Sequence, residues 1–174
     1  MMGSRPIRTA LLSLTLLWHG ASHADFEEDY EKKNWKEIEV QLPAPPRAET
    51  LIPFYVSATT PNRFLIDGAT LTVDSDGVVR YVMVVQSPSG ARSVTYEGMR
   101  CESKERRIYA SGHADGSWAK SRRNEWVRIQ DATTNRQHAA LFLEYFCPGG
   151  VIVSGSEQAR SALRGGYSSP LFAR

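Results

Sequence analysis

His113 and Asp115 stand two residues apart between Ser111 and Ser117, within the glycine-bounded stretch Gly112–Gly116, and carboxylate, imidazole and hydroxyl are the groups that activate a serine nucleophile. Such a serine sits on a sharp elbow beside oxyanion donors. Neither signature flanks these two, so no catalytic residue is assigned, and a hydrolase using the Gly112–Gly116 loop is the alternative reading. Asp74-Ser75-Asp76-Gly77 resembles the opening of a calcium loop, but Val84 and Val85 occupy the region where the closing acid belongs, so a hairpin turn is expected. Cys101, Cys147, His113 and His138 are metal-ligand types without the paired short spacings of zinc sites. No metal site, cofactor or cofactor-binding residue is therefore expected. Arg100, Arg106, Arg107, Tyr109, Trp118, Arg122, Arg123 and Trp126 interleave basic and aromatic residues, an arrangement that stacks on bases or sugars or packs across strands. Of these, Arg100, Tyr109, Trp118 and Trp126 form the candidate binding surface.

The compartment narrows the partners. Arg5 and Arg8 precede an uncharged apolar run, Ala10–Trp18, which gives way to the small-residue exit Ser22-His23-Ala24. That order is a secretory signal peptide, residues 1–24, with cleavage expected after Ala24. The apolar run is far shorter than the roughly 20 residues that cross a bilayer, so no transmembrane segment is expected in the mature chain. The alternative, a buried amino-terminal helix, sits poorly with the abrupt turn to acid at Asp25. Asp25 also replaces the cysteine to which a lipoprotein's lipid would be attached.

Removing 24 of 174 residues leaves 150, enough for one domain. The mature chain then has 19 basic and 19 acidic residues, so no global field draws it to nucleic acid, and a nucleic-acid partner is not expected. Charge is uneven: Asp25, Glu27, Glu28, Asp29 and Glu31 crowd the new terminus, while bases prevail between Arg100 and Arg128. An envelope protein or a glycan is the partner class compatible with export.

An even cysteine count in an oxidising compartment favours a Cys101–Cys147 disulfide. Trp35–Leu42 alternates, with Ile38, Val40 and Leu42 on one side, and reads as a half-buried strand before the extended connector Pro43-Ala44-Pro45-Pro46. Strands follow at Leu51–Ser57, Phe64–Asp67, Thr70–Val73, Val78–Gln86 and Ser93–Tyr96, separated by turn residues, and then at Arg106–Ser111, Ser117–Lys120 and Trp126–Gln130. Val78–Val85 is apolar at both parities, so something must cover each of its faces. Such doubly apolar strands also argue against a barrel with a polar lumen. Thr134-x-x-Gln137 fits a capping box, and Ala139, Phe142, Leu143 and Phe146 recur at helical spacing until Pro148-Gly149-Gly150. Ser156–Arg164 reads as a second, weak helix.

The wording Asp76-Gly77-Val78-Val79-Arg80-Tyr81, Ser87-Pro88-Ser89-Gly90-Ala91, Tyr96-Glu97-Gly98-Met99-Arg100-Cys101, Arg107-Ile108-Tyr109-Ala110-Ser111-Gly112, and the run from His138 to Tyr145-Phe146-Cys147-Pro148 resembles the cryptic neisserial protein-like (CNP1-like) family of exported bacterial proteins, over about Trp35–Pro148. The resemblance implies a periplasmic location and two shared cysteines matching Cys101 and Cys147; it implies no reaction and no catalytic residue. The expectation is an α+β domain: a twisted antiparallel meander with one main helix, about Asn135–Phe146, packed on it and a single disulfide. Residues 25–33 are expected as an acidic flexible segment, 34–153 as the domain and 154–174 as a weakly structured tail. The expected role is a small exported, non-enzymatic binding or envelope-interaction module, or a purely structural envelope protein.

Overall fold

A computed structural model describes residues 35–130 and 136–165. Met1–Lys36 and Glu37–Arg174 are separate units, and the fold belongs to the second. The expected signal peptide 1–24, the expected acidic segment 25–33, Thr134 of the expected capping box and the chain after Gly165 lie outside the described residues.

The described strands form one antiparallel sheet in the order β1 (Leu51–Phe54), β2 (Arg63–Asp67), β4 (Val78–Gln86), β5 (Arg92–Arg100), β6 (Glu105–Gly112), β7 (Trp118–Lys120). Two short strands attach to it, β3 (Thr72–Val73) on β4 and β8 (Val127–Arg128) on β6. This is the expected meander. Asp74–Gly77 is the hairpin turn: the Gly77 N–H donates to the Asp74 carbonyl at 3.1 Å, and Gly77 takes φ +76°, which costs a glycine little.

Strand β4 is covered on both faces, as its double apolar pattern requires. On one face Val79, Tyr81 and Met83 meet Ile52, Phe54, Phe64 and Ile66 from the sheet and Leu141, Tyr145 and Phe146 from a helical layer. Helix α1 (Arg136–Ala140) widens into π-type turns over Leu141–Phe146, where the Cys147 N–H donates to the Phe142 carbonyl at 3.0 Å. The wider turn rotates the apolar stripe. Leu141 and Tyr145 go into the core, and Leu143, expected inside, is 47% exposed. Pro148–Gly150 ends the element, and Cys147 is bonded to Cys101 just beyond β5. Helix α2 (Ser156–Gly165) buries Ala159 and Leu163, while the Arg160 guanidinium donates to the Gly68 and Leu71 carbonyls at 3.0 and 3.1 Å, which anchors a helix of modest propensity.

The other face of β4 is closed by residues 37–47, an extended strap. The alternating pattern of Trp35–Leu42 predicts a ladder strand, but no sheet pairing forms there. Its orientation differs as well: Ile38 and Leu42 are 41% and 39% exposed, whereas the Glu37 side chain is 13% exposed and points inward. The strap is held by side chains rather than by a ladder. Val40 packs on Val82, Tyr96, Tyr109 and Ala110, and the Trp118 indole N–H donates to the Pro43 carbonyl at 2.8 Å.

Candidate functional site

The strap face is organised by a bulge. Tyr96 pairs with Ala110 and Glu97 with Ile108, so Tyr109 is an extra residue in β6 and shares a face with Arg107 and Ala110. Its ring lies over Gly98, where a Cβ would come 2.3 Å from the Tyr109 oxygen and 2.9 Å from Cζ. The phenol thus reaches Glu37 Oε1, to which it donates at 2.5 Å. The Glu37 carboxylate also accepts from Arg107, from the Trp126 indole at 3.4 Å and from Arg80 at 3.3 Å. Arg80, only 2% exposed, donates in turn to Asp74 at 2.8 Å and Asp76 at 2.6 Å. Burial opposes the Arg80 charge, but Asp76, Tyr109 and Asp74 outweigh it and keep the guanidinium more firmly protonated than usual. Burial and the Glu37 hydrogen bond push the Tyr109 phenol well up. Gly98→Ala is expected to drive the ring off Gly98 and cost about 1–3 kcal/mol, as overpacking does. A urea midpoint unchanged from wild type would remove this account of Gly98.

A second polar network lies on the helix face. Glu97, 1% exposed, accepts from Thr95 at 2.7 Å and Tyr81 at 3.1 Å and shares a hydrogen bond with His138 Nε2 at 2.8 Å. His138 Nδ1 is buried with no partner among the described residues. Burial alone would raise the Glu97 carboxyl; the His138 charge and the His138 and Thr95 hydrogen bonds outweigh it and hold it below the carboxylate range. Asp76 is likewise held low: burial is overcome by Arg80 and by the Ile38 N–H. With both folded values depressed, the unfolded chain binds more protons near pH 4. Their stabilisation is present above about pH 4–5 and lost as pH falls through the folded values. The urea midpoint should therefore hold on the neutral side and drop below about pH 4, with Glu97→Gln flattening the drop; an identical acid slope in Glu97→Gln would contradict it.

The four expected surface residues lie on the strap face and form a connected row. Trp118 packs on Tyr96 with ring centroids 6.3 Å apart, Tyr96 on Tyr109 at 5.2 Å, and Glu37 bridges Tyr109 to Trp126. The Arg100 guanidinium lies 5.9 Å over the Trp126 ring. The middle of this row is packed under the strap, where Val40 covers Tyr96 and Tyr109, 6% and 7% exposed; Arg100, at its far end, is also buried. Glu37, Arg80 and Glu97 were not among the expected residues. A charged residue within an otherwise apolar strand, as Arg80 is, would have been the signal that a buried partner exists.

At its Trp118 end the row opens. A groove of about 500 Å3 lies between Pro45 and Pro46 of the strap and the β6–β7 loop, with Val94, Gly112 and Trp118 forming its floor and Arg92 and His113 on its rim. Gly116, at φ +84°, packs against Pro45 and brings the two walls together. The loop is a closed turn in which the Ser117 N–H and hydroxyl both donate to Asp115 Oδ1 at 2.9 and 2.7 Å. No hydrogen bond joins His113 to Asp115 among the described residues, so the loop presents a rim rather than a preformed dyad. A smaller hollow beside Tyr55, Arg136, Leu143 and Tyr145, about 320 Å3, carries Glu144, whose carboxyl burial raises.

No curated protein and no solved structure matches the chain. Residues 30–164 match the CNP1-like family, a span that holds the strap, both networks, the groove and both cysteines. The chain belongs to the CNP1-like family.

Proposed function

We propose that the chain is exported to the periplasm, that its mature part begins at Asp25, and that it is a non-enzymatic binding module which meets a cell-envelope partner at the Trp118 groove. The groove carries this reading: it is a preformed concavity with an aromatic floor, proline walls and a charged rim, larger than the hollow of about 320 Å3 that Glu37, Val40, Arg107 and Tyr109 line on the same face. The signal-like start and the disulfide support export. A hydrolase would need Asp115 to orient His113, and Asp115 is instead the acceptor of its own turn.

The test is co-sedimentation of the mature protein with purified peptidoglycan sacculi and, separately, with envelope vesicles. Wild type is expected in the pellet with one of the two, and Trp118→Ala is expected to bind about tenfold or more weakly, the loss of one buried aromatic contact. Wild type left in the supernatant with both, or Trp118→Ala pelleting equally, overturns the reading.

A further inference from the structure

We infer, resting on that binding reading, that the groove takes an acidic saccharide, with a sugar ring against Trp118 and its carboxylate on Arg92. The floor offers side chains and almost no main chain. Val94 and Gly112 are paired with each other in the ladder, the His113 N–H donates to the Ser117 carbonyl at 2.8 Å, and the Gly116 N–H donates to the His113 carbonyl at 3.1 Å. An extended peptide draws its affinity from an open strand edge, and although Trp118 lies in the edge strand β7, Val94 and Gly112 of the floor are paired inside the sheet, where a peptide's own N–H and C=O groups would find no ladder partner.

A saccharide needs the opposite surface: a flat apolar ring for its C–H face and side-chain donors and acceptors for its hydroxyls. Trp118 supplies the ring, held in one orientation by Tyr96 and by its indole bond to Pro43. Pro45 and Pro46 supply apolar walls, and the volume admits more than one sugar ring. Gly112 keeps the floor low, since a Cβ there would come 3.1 Å from Val94 and 3.4 Å from the Trp118 ring.

Charge selects the acid. Arg92 is exposed at the start of β5 with no ion-pair partner among the described residues. Asp115, a carboxylate in the same lining, accepts twice from Ser117, and those bonds hold it ionised and engaged in its own turn. A guanidinium without a partner on an aromatic-floored groove fits a planar carboxylate.

The experiment is calorimetric titration of the mature protein with a hexasaccharide of alternating uronic acid and N-acetylhexosamine, and with its carboxyl-reduced counterpart. Wild type is expected to favour the acidic form by about tenfold, the size of one charge-assisted hydrogen bond, and to lose that preference in added salt. Arg92→Gln, at an exposed site, should bind both forms equally at the level of the reduced sugar. Trp118→Phe should keep part of the affinity and Trp118→Ala should lose both ligands. Equal binding of the two sugars by wild type, or Arg92→Gln matching wild type, overturns the inference. So does absence of saccharide binding by a protein that still sediments with sacculi or vesicles through Trp118, a result that leaves the binding reading standing.

Discussion

Replacing both cysteines, Cys101→Ala with Cys147→Ala, is expected to lower the free energy of unfolding by about 4 kcal/mol, read as a shift in urea midpoint. The bridge joins residues 46 apart, and closing a loop of that length removes about that much chain entropy from the unfolded state. It is a large share of the 5–15 kcal/mol typical of a whole domain. The link also has a structural consequence, because it ties the end of the helical layer to the strand that carries Glu97, Gly98 and Arg100. Reduction of the wild type should reproduce the loss. A double variant as stable as the oxidised protein would mean that the cross-link merely records a proximity the packing already enforces.

Arg80→Met is expected to cost about 3–5 kcal/mol, because it leaves Glu37, Asp74 and Asp76 facing one another without their shared cation. Asp76 is the most exposed to this loss: its side chain is 2% accessible, and its carboxylate also holds the Ile38 N–H of the strap. The effect should be strongly non-additive. In a background carrying Glu37→Gln, Asp74→Asn and Asp76→Asn, the same Arg80→Met change should cost much less, since the carboxylates that Arg80 serves are then neutral. Equal costs in the two backgrounds would show that Arg80 acts through packing rather than through its ion pairs.

The legible parts of this fold are those fixed by local chemistry. The β4 strand can be read from Val78–Gln86 because β-branched residues at both parities admit few other conformations, and the turn at Asp74–Gly77 follows from its own residues. The helix end at Pro148-Gly149-Gly150 and the cysteine pairing were equally open to inspection. The strap was not. Its alternating pattern mimics a strand, and what turns Glu37 inward is Arg80, 43 positions away, and Arg107, 70 positions away. The bulge at Tyr109 depends on Gly98 across the ladder leaving room for a ring, a coincidence of two strands that neither shows alone. The π-type turns hid for a similar reason: Leu141–Phe146 is apolar enough to satisfy either helical phase, and the packing decides between them. Of the candidate surface, Arg100, Tyr109, Trp118 and Trp126 lie on one face of the sheet, and of these four Trp118 lines the groove, while Tyr109 and Trp126 are tied to Glu37 of the strap.

The decisive measurement is the intact mass of the native protein from a periplasmic extract, alkylated under denaturing conditions without prior reduction. A chain that is exported and then stapled should have the mass of residues 25–174 less two hydrogens, with no alkyl group on Cys101 or Cys147. A chain that retains Met1, or that takes up two alkyl groups, would contradict export and the oxidised fold together.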